Sequence, residues 1–310
     1  MKVLYVVSGN KKKLSPFIQE QTDSIIHKGV IFDFFFIKGS GVLGYLKNIL
    51  SYYSKINSFK PDIIHAHYGL SGFFANLQFK VPVVTTFHGS DVNMKRIRLF
   101  SFVAHLFSNH SIFVSDKIAH KIPLKKSYSV IPCGINTNLF YPIEKSIIRD
   151  KLGYAQHEKL VLFSSDFSTA VKNYPLAKQA IDLFDFKVKL IELKGFNREE
   201  VNELLNVCDV ALMTSFSEGS PQFIKEALAC NIPIVSTDVG DVRHLMDGIE
   251  GCYVSSYDPL DIKNSIEKAF SFGKRTEGRK KIENLSVGDI ANKIIEVYRA
   301  VGHTQSLSLN

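Results

Sequence analysis

The segment Ser217-Glu218-Gly219-Ser220-Pro221-Gln222-Phe223-Ile224-Lys225-Glu226 sets two carboxylates on either side of a helix start. Ser220 can cap that helix and Pro221 suits its first position, which leaves the amides of Gln222 and Phe223 pointing at an anion. Glu226 lies five residues past Pro221, roughly 7.5 Å further along the axis. Carboxylates in these places bracket a diphosphate, one able to hold sugar hydroxyls and the other ribose hydroxyls. An ordinary helix with a dipole-favoured Glu218 and a solvated Glu226 fits the same residues, and the segment alone does not choose. Lys172, in Val171-Lys172-Asn173, stands ahead of a helix, where lone lysines are commonly surface charges.

Such residues act only if strands and helices carry them to one place. Short β-branched or aromatic runs alternate with longer amphipathic stretches, the pattern of an α/β protein with parallel sheets. The pattern predicts strands near 2–8, 30–37, 62–67, 81–87, 110–115 and 128–132, then a second series near 159–165, 188–193, 209–214, 233–238 and 252–256. Two Rossmann-like, doubly wound domains follow, facing a central cleft at the carboxyl ends of their strands. The expected boundaries are 1–145 for the first domain and 146–286 for the second. A terminal helix over 287–302 is expected to pack back toward the first domain, ahead of a frayed tail at 303–310.

The chain has 310 residues, 45% hydrophobic and 22% charged, enough for a large core and incompatible with dominant disorder. Its apolar runs, such as Val30–Ile37 and Leu99–Phe107, fall short of the roughly 20 residues a membrane-spanning helix needs. The opening run through Val7 is too short for a signal peptide, so a cytoplasmic protein is expected. Cys133, Cys208, Cys230 and Cys252 are widely spaced in apolar surroundings and read as buried thiols. Of the net charge of +8, residues 1–145 carry 18 Lys and Arg against 7 Asp and Glu, the remainder 20 against 23. A basic first half attracts phosphates in nucleic acid, lipid headgroups or substrate.

The Glu-x7-Glu spacing of Glu218 and Glu226, the following Ala-Leu-Ala-Cys-Asn-x-Pro-Ile-Val, and Val130-Ile131-Pro132-Cys133-Gly134-Ile135-Asn136 with Phe140 and Pro142 resemble family 4 of the retaining glycosyltransferases. Asp62-Ile63-Ile64-His65-Ala66-His67 and Thr86-Phe87-His88-Gly89-Ser90-Asp91 fit the same pattern. The resemblance covers nearly the whole chain and implies the GT-B fold, with an acceptor-binding first half and a nucleotide-sugar-binding second half. It implies that Glu226 binds the ribose, Glu218 the donor sugar, and the backbone of Gly219, Ser220, Pro221, Gln222 and Phe223 the sugar and phosphate. It makes His88, Lys172 and Glu218 the catalytic group, with Lys172 and Asn173 at the diphosphate, Gly9 among the donor contacts, and Asn10, His67 and Asp91 on the acceptor side. The arginine usual after the first strand of the second domain is missing; Phe163-Ser164-Ser165-Asp166 stands there, and the hydroxyls of Ser164 and Ser165 are the candidates to replace it. Cys133 and Asn231 replace a usual asparagine and glycine.

Gly39-Ser40-Gly41-Val42-Leu43-Gly44 matches the dinucleotide fingerprint but follows the second strand, and no acidic residue for a ribose ends the next one. His65 and His67 share a strand face, a spacing that zinc can use, yet neither His-Glu-x-x-His nor Asp-x-Asp occurs, so no metal is assigned. No nucleic-acid motif accompanies the basic half. Lys11, Lys12 and Lys13, with Lys95, Arg96 and Arg98 ahead of an apolar stretch, are instead assigned to an anionic membrane surface, the alternative for that stretch being a core helix. The expected function is metal-independent, retaining transfer of a hexose-type sugar from a nucleoside diphosphate donor to a saccharide or lipid-linked acceptor, in surface polysaccharide or glycolipid synthesis, without a cofactor or nucleic-acid partner. A catalytically silent sugar-nucleotide-binding subunit and a nucleotide-sugar epimerase of the same fold are the alternatives.

Overall fold

The computed structural model describes residues 1–9, 14–123 and 126–308, with side chains as far as 303. Asn10, Lys11, Lys12 and Lys13 lie outside the described residues. The chain divides into two compact units, Met1–Gly134 with Val287–Asn310, and Ile135–Ser286.

The first unit holds a six-stranded sheet of β1 (Lys2–Ser8), β2 (Ile31–Ile37), β3 (Ile63–His67), β4 (Val83–Phe87), β5 (His110–Phe113) and β6 (Tyr128–Val130) in the order β2-β1-β3-β4-β5-β6. Every pairing is parallel. β3 and β4 are buried along their whole length, as strands covered on both faces by crossover helices must be. His65, in β3, is paired internally, between the Tyr298 hydroxyl at 2.6 Å and the Thr86 hydroxyl at 2.7 Å.

The second unit holds β7 (Lys159–Phe163), β8 (Val188–Ile191), β9 (Val210–Met213), β10 (Ile234–Thr237) and β11 (Cys252–Ser255), all parallel, in the order β11-β10-β9-β7-β8. Each sheet winds outward in both directions from its first strand. The winding reverses between β1 and β3 in one unit and between β7 and β9 in the other. Folds of this kind bind ligands at the switch point, beside the loops that follow those strands.

The units meet in sequence at Gly134–Ile135, ahead of the expected 145/146 boundary. Residues 135–143 belong to the second unit because its core claims them: Ile135 and Phe140 are fully buried in it, Asn206 Oδ1 accepts from the Ile143 amide at 2.7 Å, and Arg279 donates to the carbonyls of Thr137 and Phe140. The terminal helix, Val287–Ser308, belongs to the first unit. It buries Ile290, Ala291, Ile294 and Tyr298 and continues past residue 302, where a frayed tail was expected. Gly302 costs a helix only about 1 kcal/mol, and no proline follows to stop it.

Candidate functional site

In the second unit the loops after β7 and β9 are fastened to each other. Thr214 Oγ1, just past β9, donates to the carbonyls of Lys172 and Asn173, both at 3.0 Å, and the Phe216 amide donates to Val171. Asn173 takes a left-handed conformation, φ 56 and ψ 49, which asparagine tolerates better than most residues. This turn delivers Lys172 to Glu218: Lys172 Nζ donates to Glu218 Oε1 at 2.7 Å. Both side chains remain partly open, at 20% and 16% exposure, so the pair meets solvent at the sheet's switch point.

The helix that follows runs Gln222–Ala229, with Pro221 as its N-cap and no side-chain cap. The expected cap, Ser220, is otherwise engaged: its hydroxyl donates to Asp241 Oδ2 at 2.6 Å. A neighbouring carboxylate outcompetes the helix amides for that proton, since a hydroxyl bonded to a charged oxygen is the stronger bond. Pro221, at the N-cap, carries no capping oxygen of its own. Gly219 lies against Gly240, whose φ is +56 and where a Cβ would come within 2.4 Å of the Gly219 carbonyl oxygen, so the two loops touch backbone to backbone. Phe223 turns into the core.

Glu226 is not the solvated residue of an ordinary helix. It is buried and ion-paired with Arg198, whose guanidinium also lies 4.6 Å over the Phe140 ring. A buried carboxylate needs a counterion or hydrogen bonds. Arg198 starts the helix Arg198–Val207, which is held by a capping box between Asn197 and Glu200. Arg198 escaped the sequence reading, because nothing local marks an arginine 28 residues from its partner. Two other features of this unit also escaped it. Lys225 is fully buried, and its charge partly offsets the burial that pushes the Asp241 carboxyl up from the usual range. Phe216, 59% exposed beside Glu218, stacks on exposed Tyr257 with ring centres 5.8 Å apart.

At the end of β7 the Ser164 hydroxyl is buried with no hydrogen-bond partner, while Ser165 accepts from the Leu193 amide through its carbonyl. A buried hydroxyl in that state costs free energy that a ligand oxygen would recover.

The first unit gathers another group. His67, at the end of β3, and His88, just past β4, share a 2.9 Å contact between Nδ1 and Nε2. Cys133 Sγ lies 3.7 Å from His88 Nδ1, and the Tyr68 ring packs at 4.5 Å from that of His88. His67 is fully buried, its Nε2 unpartnered, and burial first and the neighbouring imidazoles second hold its pKa well below the usual value. Asp91 is buried and receives backbone amides. Gly9 also lies in this unit, and its amide donates to Ile37 at 2.7 Å, so that group is not offered to a donor phosphate. Its small size is needed because a Cβ would come within 2.9 Å of Phe36. Lys95, Arg96 and Arg98 occupy the first turn of the helix Lys95–Phe107. Among the described residues no three His, Cys, Asp or Glu side chains are grouped to hold a metal ion.

Each unit matches a family model of its own. Residues 6–139 match the model described as Glycosyltransferase Family 4, and residues 166–271 the one described as Glycosyl transferases group 1. The chain thus carries the family 4 model in its first half and the group 1 model in its second half, both of glycosyltransferases. Among its relatives is TuaC of Bacillus subtilis (strain 168), a protein named for teichuronic acid biosynthesis, 30% identical over 60% of this chain and 55% of that one. A D-inositol 3-phosphate glycosyltransferase of Arthrobacter sp. (strain FB24) is 24% identical over 67% of this chain and 62% of its own. The chain thus spans less than two thirds of the length of these relatives. Sucrose-phosphate synthase from Thermosynechococcus elongatus superposes with a TM-score of 0.80 at 16% identity, over 98% of this chain and 99% of that one. Anabaena HepE in complex with UDP does so with a TM-score of 0.79 at 16% identity, over 97% and 100%. The fold of the chain is GT-B.

Proposed function

We propose that this protein transfers a hexose-type sugar from a nucleoside diphosphate donor to a saccharide or lipid-linked acceptor, with retention at the anomeric carbon and without a metal, in surface polysaccharide or glycolipid synthesis. The observation that carries the reading is the pair of acid–base contacts flanking one helix start: Lys172 with Glu218 before it, Arg198 with Glu226 within it. Cleavage of a glycosyl phosphate bond builds negative charge on the departing diphosphate. Preorganised cations and amide dipoles lower the barrier by stabilising that charge as it forms. Lys172 and the amides of Gln222 and Phe223 fill this role, which is why no metal is required. The buried Ser164 hydroxyl supplies a phosphate contact where the family arginine is missing. Glu226 holds the ribose hydroxyls and Glu218 the sugar, while His88 is assigned to a sugar hydroxyl. No residue is assigned as a covalent nucleophile.

HepE is described in complex with UDP and with UDP-glucose, so uridine diphosphate sugars are the first donors to test. Thermal-shift screening with UDP-, GDP- and ADP-sugars, with and without EDTA, tests donor class and metal independence together. Stabilisation by one nucleotide class, unchanged by EDTA, supports the reading; stabilisation that EDTA abolishes removes the metal-free part. The missing arginine also favours a second reading, a silent sugar-nucleotide-binding subunit. Binding without turnover or donor hydrolysis across a panel of acceptors would select it.

The partner surface is assigned to the helix Lys95–Phe107. It buries Ser101, Ala104 and His105 on one face, as a core helix does, and leaves Leu99 and Phe107 64% and 59% exposed on the other side. Lys95, Arg96 and Arg98 cluster at its start, and basic residues beside exposed apolar ones dock on anionic lipid. No helix among the described residues is long and apolar enough to cross a membrane. Sedimentation with vesicles of neutral and of 30% anionic lipid tests the assignment. Binding to the anionic vesicles that falls in a Lys95→Gln, Arg96→Gln, Leu99→Ser variant supports it, and equal binding to both vesicle types sinks it.

A further inference from the structure

Asp91 follows β4 in the four-residue helical turn Ser90–Asn93 and is 3% exposed. Both of its carboxylate oxygens are occupied by backbone amides from two separate loops. Oδ1 accepts from Gly89 at 2.8 Å and from His88 at 3.1 Å, both beside it in sequence. Oδ2 accepts from Gly69 at 2.9 Å, and Gly69 lies 22 residues away, where the loop after β3 enters the helix Gly69–Ala75. A cap for its own turn would need only the first two. We propose that Asp91 is a positioning residue whose ionised carboxylate fastens the loops after β3 and β4 together, fixing Tyr68 against His88, and that protonation of this carboxylate releases them.

The backbone takes a positive φ on either side of the clamp, and at Tyr68 it is strained. Tyr68, next to Gly69, has φ 73 and ψ 147, a region almost reserved for glycine that costs another residue about 1–3 kcal/mol. Gly89, next to His88, has φ 114 and ψ −53. Conformations of this kind persist only where surrounding bonds over-determine them, and the three amide bonds to Asp91 supply that constraint on both loops at once. They are charge-assisted, and so about twice as strong as neutral ones. The helix Lys95–Phe107 braces the turn from behind: Ser101 Oγ donates to the Asp91 carbonyl at 2.8 Å.

The titratable groups around Asp91 are the Tyr68 hydroxyl after β3, His88 in its own loop, and Cys133 after β6, which touches His88. The helix Lys95–Phe107 presents Ser101, and the helix Gly69–Ala75 presents its first amide. Among the described residues, amides and not a cation are the groups that favour its ionised form. Burial raises its pKa to about 6, against the opposing pull of the amides, which places release of the clamp just below neutral pH.

The consequence for turnover rests on the proposed sugar chemistry of His88; the clamp itself does not, and the two are read separately. Amide NMR of the parent protein between pH 5 and 8 reads the clamp without a variant or substrate. The proton shifts of Gly69, His88 and Gly89 are expected to move together with one midpoint near 6 and to be flat in Asp91→Asn. Amides that do not titrate in the parent, or that titrate alike in Asp91→Asn, overturn the proposal. In a transfer assay Asp91→Asn is expected to lower kcat by roughly 10- to 100-fold, the scale of a misplaced reacting group, with the KM for the nucleotide sugar unchanged and the acid limb of the parent's pH profile gone. A parent acid limb kept in the variant overturns the positioning role. If no transfer is found with any donor, the proposed function fails while the NMR result still decides the clamp.

Discussion

Glu226 and Arg198 show what a single residue contributes. A carboxylate buried to this degree is tolerable only with its guanidinium partner, and breaking such a pair costs more than the pair gains in free energy. Arg198→Ala should therefore destabilise the protein by about 1–3 kcal/mol, below the full buried-pair range because Arg198 is 26% exposed, and a denaturant titration reads this. If Glu226 holds a ribose, the parent should prefer UDP over its 2′-deoxy analogue, and Glu226→Ala should lose that preference along with most donor affinity. Lys172→Ala should instead depress kcat with little change in donor affinity, because the charge it stabilises develops only as the bond breaks. Equal kinetics in the variants and the parent would remove these roles. Sequence spacing marked Glu218 and Glu226 as candidates because they belong to a local pattern at a helix start, while Lys172 came from the family resemblance. Neither revealed Arg198, the Ser220–Asp241 bond or the amides on Asp91, since each joins residues whose meeting depends on the whole sheet.

At the scale of elements, all eleven expected strands are present, because runs of β-branched and aromatic residues leave a strong local signal, in buried strands such as β3 and β4 and in partly exposed ones such as β2 and β6 alike. The closeness of the helices left none. Gly69–Ala75 lies so near Lys95–Phe107 that a Cβ on Gly69 would fall 1.9 Å from Ser101 Oγ and 2.8 Å from Ser101 Cα. That approach explains why the second helix turns Ser101 and Ala104 inward and leaves bulkier residues outside. Gly69→Ala should cost about 1–3 kcal/mol through overpacking and lower the melting temperature. Because the backbone of Ser101 is also too close, adding Ser101→Ala should restore only part of the loss, whereas complete rescue would contradict the backbone contact. The Gly39–Gly44 fingerprint is explained at this scale too. It follows β2, an edge strand, and no switch point lies beside it.

For the molecule as a whole, two sheets of the same winding arise from halves without a transparent sequence repeat, and their switch points gather the residues singled out for chemistry. The same architecture buries histidines in the first unit, with a cost that depends on pH. Burial, and then the charge of His88, holds the His65 pKa down to about 3, so the folded protein keeps this ring neutral while the unfolded chain protonates it below about 6.5. The stability that depends on neutral His65 is fully present above 6.5 and is lost as pH falls toward 3, by roughly 2 kcal/mol at pH 5 from this ring alone. His67 acts in the same direction. Asp91, whose pKa is raised, acts in the other. The melting temperature should fall from pH 7.5 to pH 5, and less steeply in His65→Gln; a flat parent profile would contradict the burial argument.

Calorimetric titration of the protein with nucleoside diphosphate sugars in EDTA tests most directly whether the second unit grips a donor through its diphosphate and ribose. Saturable one-site binding of one nucleotide class, weakened at least tenfold in Glu226→Ala, about 1.4 kcal/mol, is the expected result. No binding by any nucleoside diphosphate sugar, or binding of equal strength in Glu226→Ala and the parent, would contradict it.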